Sequence, residues 1–204
     1  MGILLNTLPK SVEICGSEVP IAWDFRTSIN FSELLLSKEL DEKEQITQGA
    51  KLYYGSVIYD FSEEEATEAI EKMLWFYKAG EMQDTRKSSN KKQKQTYSFD
   101  QDGDYIYAAF REQFNVDLSC ADLHWWSFRA MFGSISASTQ FGKILGYRTI
   151  DINKVSSKED REFYRMMKKE YALDKKFSTD EDKLIQEIND ALMRGEDVSH
   201  LLKG

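Results

Sequence analysis

The sequence predicts a mainly α-helical fold of several helices with a β-hairpin near the N-terminus. Apolar residues recur at spacings of three and four along most of the chain, which is typical of amphipathic helices. The only two prolines are Pro9 and Pro20, so the rest of the chain contains none. Because proline costs about 3 kcal/mol inside a helix, its absence favours a helical body.

Composition places the chain among soluble globular proteins. Its 204 residues fit one domain, or one domain with an appendage. Hydrophobic residues make up 41% and charged residues 30%, and the net charge is −8. An acidic surface argues against nonspecific binding of nucleic acid by the whole protein. Apolar runs are too short to cross a membrane, and no secretory leader is expected at the start.

Cysteine and histidine are scarce. Cys15 and Cys120 are too few for a disulfide framework, so a reducing cytoplasm is expected. The two histidines, His124 and His200, argue against a histidine-rich metal site. We therefore predict no metal and no cofactor.

The N-terminal region predicts a two-stranded β-hairpin at about residues 9–22. Residues 11–14 alternate between polar and apolar side chains, as in a half-buried strand. Residues 15–18 are expected to form the turn, where Gly16 supplies the backbone freedom of a tight turn. Residues 19–21 return as a second strand, which Pro20 makes short or places at an edge.

Three helices are predicted in the first half of the chain. The third has the clearest start, because Ser62 and Glu65 have the spacing of a capping box. Gly55 is expected to end the second helix and Gly80 the third. The predicted apolar faces are Phe31, Leu34 and Leu35 at about Thr27–Lys38; Ile46, Ala50, Tyr53 and Tyr54 at about Asp41–Tyr54; and Ala66, Ala69, Ile70, Met73 and Tyr77 in the third helix.

A basic segment interrupts the helices at about residues 81–97. Residues 81–95 contain five basic and two acidic residues, and their one apolar residue is Met82. The flanking parts are acidic. Residues 1–80 contain seven basic and fourteen acidic residues, and residues 96–204 contain fifteen basic and nineteen acidic residues. Because the segment cannot bury apolar area, we expect an exposed, mobile loop.

Four further helices are predicted between residues 104 and 171. Leu123–Phe132 is apolar on several faces, which indicates a buried central helix. Acidic residues 100, 102 and 104 would place negative charge at the start of the first of these helices. The other predicted helices and inward residues are Asp104–Phe114 with Tyr107, Phe110 and Phe114; a short helix at about Gln140–Leu145; and Lys158–Tyr171 with Phe163, Met166, Met167 and Tyr171. The predicted core residues are Phe110, Trp125, Trp126 and Phe128.

Residues 177–204 are predicted to form an amphipathic helical appendage to a domain of residues 1–176. Ser178 would cap the helix and Gly195 would end it. This helix would either dock on the protein's own core or lie in a groove of another chain. The candidate partner-binding residues are Leu184, Ile185, Ile188 and Leu192.

The residue patterns do not indicate an enzyme, and we predict no catalytic residue. Residues 100–104 begin like a calcium loop, but Tyr105 and Arg111 replace the glycine and glutamate that such a loop needs. His124 is expected to be structural rather than a general base. Cys120 precedes a helix, where a thiol can become reactive, but it lacks a histidine signature.

Two features are compatible with nucleic-acid binding. Trp125 and Trp126 could stack on bases or sugars, but aromatic residues on both faces of a helix favour a core. Arg86–Lys94 could contact nucleic acid or an acidic partner, and the alternative is a solvated loop.

Several segments together resemble a family of small proteins from the tail module of tailed phages and prophages of Gram-positive bacteria. The resemblance covers about residues 5–173. Its segments are residues 100–110 (DQDGDYIYAAF), 122–129 (DLHWWSFR), 146–148 (GYR) and 163–167 (FYRMM), together with the hairpin residues Val12, Gly16 and Pro20 and the following Asp24-Phe25-Arg26.

The resemblance implies a tail assembly factor similar to tail assembly chaperones. Such proteins are mainly helical, self-associate, bind the tape-measure protein and help tail-tube subunits polymerise around it, in the bacterial host cytoplasm. It transfers no active site. For Arg148, whose planar guanidinium suits several partners at once, we expect a buried or interface role. The alternatives are a structural minor tail or connector protein of the virion and, less favoured, a nucleic-acid-binding regulator.

Overall fold

The computed structural model describes residues 4–37, 39–80 and 95–174. The predicted basic loop lies outside these residues except for 95–97, and so does the predicted appendage. The elements are β1 (Ser11–Ile14), β2 (Ser17–Pro20), α1 (Phe25–Leu36), α2 (Glu42–Tyr54), α3 (Glu63–Tyr77), α4 (Gly103–Phe114), α5 (Trp125–Gly133), α6 (Gln140–Thr149) and α7 (Lys158–Glu170), with short 3-10 helices at Gly55–Asp60 and Ile152–Lys154. The mainly helical class with an N-terminal hairpin is confirmed.

The hairpin has a shorter turn than the sequence predicts. Strands β1 and β2 are antiparallel, and Ser11 pairs with Pro20 and Ile14 with Ser17. The turn therefore holds only Cys15 and Gly16, both at positive φ (46° and 79°). Two-residue turns of this kind match the twist of the paired strands, which draws residues 17 and 18 into β2.

Local capping signals set most helix starts. The predicted capping box is confirmed, since Ser62 accepts from the amide of Glu65 and Glu65 accepts from the amide of Ser62. Asp41 and Glu44 form a second capping box at the start of α2. Helix α3 ends at Tyr77, before the predicted Gly80, whose amide donates back to the carbonyl of Trp75.

The first and second halves of the chain share one buried core. Helix α5 lies against α1. The backbone amide of Trp125, the first residue of α5, donates at 2.9 Å to the carbonyl of Trp23, which lies just before α1. The hairpin covers α3. The largest fully buried apolar side chains are Ile14, Phe31, Tyr53, Met73, Phe76, Phe110, Phe128, Phe141 and Ile144.

Two predicted inward faces are wrong in part. In α4, Tyr107 is exposed and donates to Asp117, and the buried face is formed by Ile106, Ala109 and Phe110. In α7, Phe163 and Met166 are exposed, because the described neighbours of this helix are α6 and the 3-10 helix at Ile152–Lys154. Sequence periodicity marks the apolar stripe of a helix, but not how much of the stripe another element covers.

Helices α5 and α6 also differ from their predicted bounds. Helix α5 starts at Trp125, two residues late, because the side chain of His124 caps it. Helix α6 continues to Thr149, four residues beyond the predicted end, and so carries Arg148 on its last turn.

Two glycines in α6 provide a matched pair of substitutions. A Cβ on Gly142 would lie 2.1 Å from the backbone oxygen of Ser136, whereas a Cβ on Gly146 would meet nothing within 4 Å. We expect Gly142→Ala to lower the free energy of unfolding by roughly 1–3 kcal/mol through overpacking. Gly146→Ala should raise it by about 1 kcal/mol through helix propensity. Urea unfolding of both variants checks this, and equal effects would contradict the close approach at Gly142.

Candidate functional site

The aromatic residues predicted as core are placed in the interior. Phe110 and Phe128 are fully buried and stack at a ring-centroid distance of 5.0 Å. Trp125 and Trp126 are also buried, and their indole N–H groups donate to the carbonyls of Tyr77 and Phe76, each at 2.8 Å. Because both faces and both polar atoms are engaged, these tryptophans do not form a stacking platform for bases or sugars.

His124 has a structural role as a helix cap. Its Nδ1 accepts from the amide of Trp126 at 3.0 Å, and its Nε2 lies 2.9 Å from the carbonyl oxygen of Pro9. These partners require a neutral imidazole with the proton on Nε2. Burial lowers the pKa of His124 below its ordinary 6.5, and Lys10 lowers it further, while the hydrogen bond to Pro9 opposes them.

The lowered pKa of His124 predicts a stability that depends on pH. Well above pH 6.5 the imidazole is neutral in both states, so its stabilising contribution is complete. As the pH falls, the unfolded chain binds the proton first, so the free energy of unfolding decreases. We expect urea unfolding to show lower stability at about pH 5.5 than at about pH 7.5. His124→Asn, which keeps a capping oxygen, should reduce this difference.

Asp102 and Arg148 form a buried bidentate ion pair. The guanidinium nitrogens of Arg148 lie 2.7 and 2.8 Å from the two carboxylate oxygens of Asp102, whose side chain is 2% exposed. Asp102 lies at the start of α4, as predicted, but its side chain makes no capping bond to the helix. Arg148 also donates to the carbonyls of Thr96 and Tyr171. The predicted buried role of Arg148 is thus confirmed, and it joins four parts of the chain.

A second arginine network has no counterpart in the sequence analysis. Arg26 donates to the carboxylate of Asp24 at 3.0 Å and to the carbonyls of Leu118 and Ala121 at 2.7 and 3.2 Å. The hydrogen bonds of Arg26 therefore connect the start of α1 to the loop before α5. The backbone partners of Arg26 lie more than 90 residues away in the sequence, so no local sequence pattern predicts these contacts.

Both cysteines are exposed, and Cys15 lacks the lowered pKa of a nucleophilic thiol. Desolvation and the hydrogen bond to Glu68 raise the pKa of the Cys15 thiol, which makes the thiolate rarer. Within residues 4–37, 39–80 and 95–174, no group of three or more His, Cys, Asp or Glu could hold a metal ion.

Five apolar residues of the second half lie side by side at the surface, where Tyr105, Phe163 and Met166 are exposed and the two tyrosines between them are half-buried. We call this group the aromatic strip and define it as Tyr105, Tyr171, Tyr147, Phe163 and Met166. Tyr147 of α6 stacks on Tyr171 at 5.9 Å and meets Phe163 edge-on at 6.0 Å, while Tyr105 of α4 lies 6.4 Å from Tyr171. Phe163 is 43% exposed and Met166 is 58% exposed.

Acidic residues border the α7 part of the aromatic strip. Residues three or four positions away are neighbours on a helix surface. The charged neighbours of Phe163 and Met166 by this rule are Glu159, Asp160, Glu162 and Glu170, with Lys169 as the one basic residue. No ion pair joins these glutamates to a cation of the described residues. We call Glu159, Asp160, Glu162 and Glu170 the acidic rim.

Two other basic residues of α7 donate to backbone carbonyls, whereas Lys158 and Arg165 are exposed. Arg161 donates to the backbone carbonyls of Ser156 and Ser157, and Lys168 donates to the carbonyl of Ile150 at 2.9 Å. Hydrogen bonds from its own backbone amide and from the Ser157 hydroxyl lower the pKa of Glu159, so this rim carboxylate stays ionised. The residues at helical spacing from Phe163 and Met166 are thus mainly acidic, with Lys169 among them.

The predicted partner-binding residues Leu184, Ile185, Ile188 and Leu192 lie outside the described residues. None of the helices in the described part of the chain is long and apolar enough to cross a membrane. The aromatic strip is thus the candidate site that the described residues provide. The sequence contained one signal for it, the apolar stripe of α7, which was assigned to the interior.

Comparison with known proteins identifies one family. Neither the curated proteins nor the solved structures contain a match to this chain. The profile of the family described as "Bacteriophage Gp15 protein" matches residues 4–173, which include every described helix and both strands of the hairpin. Because the match extends over more than half of the sequence, the chain belongs to the bacteriophage Gp15 protein family.

Proposed function

We propose that this protein is a non-enzymatic tail assembly factor of a phage of Gram-positive bacteria. It acts in the host cytoplasm, binds the tape-measure protein or the tail-tube protein, and associates with itself. Family membership supports a phage role. The observation that carries the binding role is the aromatic strip, in which exposed and half-buried apolar side chains of three helices lie side by side.

The physical chemistry of tail assembly suits such a protein. A long helical polypeptide with apolar seams aggregates unless those seams are covered. A helical protein with its own exposed apolar surface can cover them reversibly, and a net charge of −8 keeps the resulting complex dispersed. The core aromatic residues and the Asp102–Arg148 pair would stabilise the fold that supports the aromatic strip and would have no catalytic role.

Co-expression with the tape-measure protein of the same phage tests this function. We expect the tape-measure protein to be insoluble alone and to form a soluble complex of defined mass with this protein. Size-exclusion chromatography with light scattering measures that mass and the stoichiometry. A tape-measure protein that precipitates while this protein stays separate would overturn the assembly role. Finding the protein in purified virions would then establish the structural alternative.

A further inference from the structure

We propose that the aromatic strip with its acidic rim binds an amphipathic helix of another protein, whose apolar seam is flanked by lysine or arginine. The proposal deepens the proposed function, on which it rests for the identity of the biological partner. It adds the surface that binds and the chemistry of the bound segment.

The shape of the surface favours a helix as the occupant. Tyr105, Tyr171, Tyr147 and Phe163 follow one another at ring distances of 5.9 to 6.4 Å across α4, the end of α7 and α6. A row of apolar side chains on a rigid helical support is the usual receptor for residues spaced i, i+3, i+4 and i+7. Tyr171 is held in place because its carbonyl accepts from Arg148 and its hydroxyl lies 3.4 Å from Gln140.

The charge of the rim decides which helix fits. Glu159, Glu162 and Glu170 are exposed and border Phe163 and Met166. An occupant with basic flanks gains attraction at this rim, whereas one with acidic flanks meets like charge. The surface therefore selects for a basic amphipathic segment.

The same charge argues against two other occupants. Residues 177–204 contain seven acidic and three basic residues, so this segment of the chain would bring like charge to the rim. A second copy that pairs through the same surface would place one glutamate rim against another, since a two-fold interface joins identical patches. Both arrangements cost electrostatic energy that a basic helix from another protein avoids.

A pair of designed peptides tests the chemistry directly. Each has about 18 residues, long enough to form an isolated helix, and carries leucines at spacings of three and four. One peptide has lysine flanks and the other has glutamate flanks. Fluorescence anisotropy with the full-length protein should show at least about tenfold tighter binding of the lysine peptide. Equal affinities, or no binding of either peptide, would overturn the proposal.

Variants of the protein locate the binding surface. Phe163→Ser with Met166→Ser should weaken binding of the lysine peptide about tenfold or more. The matched control is Val57→Ser with Tyr59→Ser, which alters exposed apolar residues on the 3-10 helix after α2 and should leave binding unchanged. Glu162→Lys with Glu170→Lys, which changes only exposed side chains and keeps the fold, should shift the preference toward the glutamate peptide. Unchanged binding in the serine and charge variants would place the site elsewhere.

The same variants separate this proposal from the proposed function. If the tape-measure protein forms a complex with the wild-type protein and equally with the Phe163→Ser, Met166→Ser variant, the assembly role stands and the surface assignment fails. If the lysine peptide binds but the tape-measure protein does not, the surface assignment stands and the function fails. Light scattering that shows a wild-type dimer and a monomeric serine variant would assign the strip to a second copy and overturn the proposal.

Discussion

Replacing Arg148 with leucine will lower the free energy of unfolding by about 3–5 kcal/mol, because it leaves the carboxylate of Asp102 buried without its cation. That carboxylate lies inside the protein with 2% of its side chain exposed, and Arg148 makes both of its charged contacts. The amide of Ser98, which donates at 3.0 Å, would be the remaining partner among the described residues. Urea unfolding followed by circular dichroism measures the loss.

A double-mutant cycle shows whether the loss belongs to the ion pair. Asp102→Asn keeps an oxygen for the Ser98 amide and removes the charge, so the double variant with Arg148→Leu should lose less than the sum of the single losses, by roughly 1–3 kcal/mol. Arg148→Lys should recover only part of the stability, because an ammonium group cannot form the two parallel hydrogen bonds of the guanidinium. Additive single losses would mean that the two side chains do not act as a pair.

Phe128→Ala will have an effect of similar size for a different reason. Phe128 is fully buried, and its ring lies within 6.0 Å of the rings of five residues. These five residues are Phe25, Phe99, Phe110, Trp125 and Phe132. Removing the ring leaves a cavity that so many rigid neighbours cannot fill, and we expect a loss of about 3–5 kcal/mol.

Two control variants test whether the loss in Phe128→Ala comes from the cavity that the missing ring leaves. Phe128→Leu retains most of the volume and should cost less than about 1.5 kcal/mol. Tyr59→Ala removes an aromatic ring that is 68% exposed, so its effect should stay within about 0.5 kcal/mol. The measurement is again urea unfolding. A loss below about 1 kcal/mol for Phe128→Ala would contradict a closely packed aromatic core.

Local signals explain why much of the fold was predictable. Ser62 and Glu65 identify a helix start because their capping bonds span only three residues and need no tertiary partner. Phe110 and Phe128 were recognised as core because burial follows helical periodicity. The hairpin was predicted from strand alternation, and the error in its turn was confined to residues 17 and 18.

Long-range contacts explain most of what the sequence analysis missed. Asp102 lies at a helix start, as predicted, but the partner of its carboxylate is Arg148, 46 residues later. His124 lies next to a predicted helix start, but its partner at Pro9 is 115 residues away. The residue pattern of a single helix cannot predict such a partner, because the contact forms only when the chain folds.

The aromatic strip shows most clearly which features the sequence predicts and which depend on the tertiary structure. By itself the sequence determined that α7 has an apolar stripe with Phe163 and Met166, and that glutamates lie three or four positions from them. Only the tertiary structure decided that the described neighbours of α7 leave part of this stripe exposed and that Tyr147, Tyr171 and Tyr105 extend it into a strip. The physical reason is that periodicity fixes which side chains share a face, whereas the packing of other helices fixes how much of that face is removed from water.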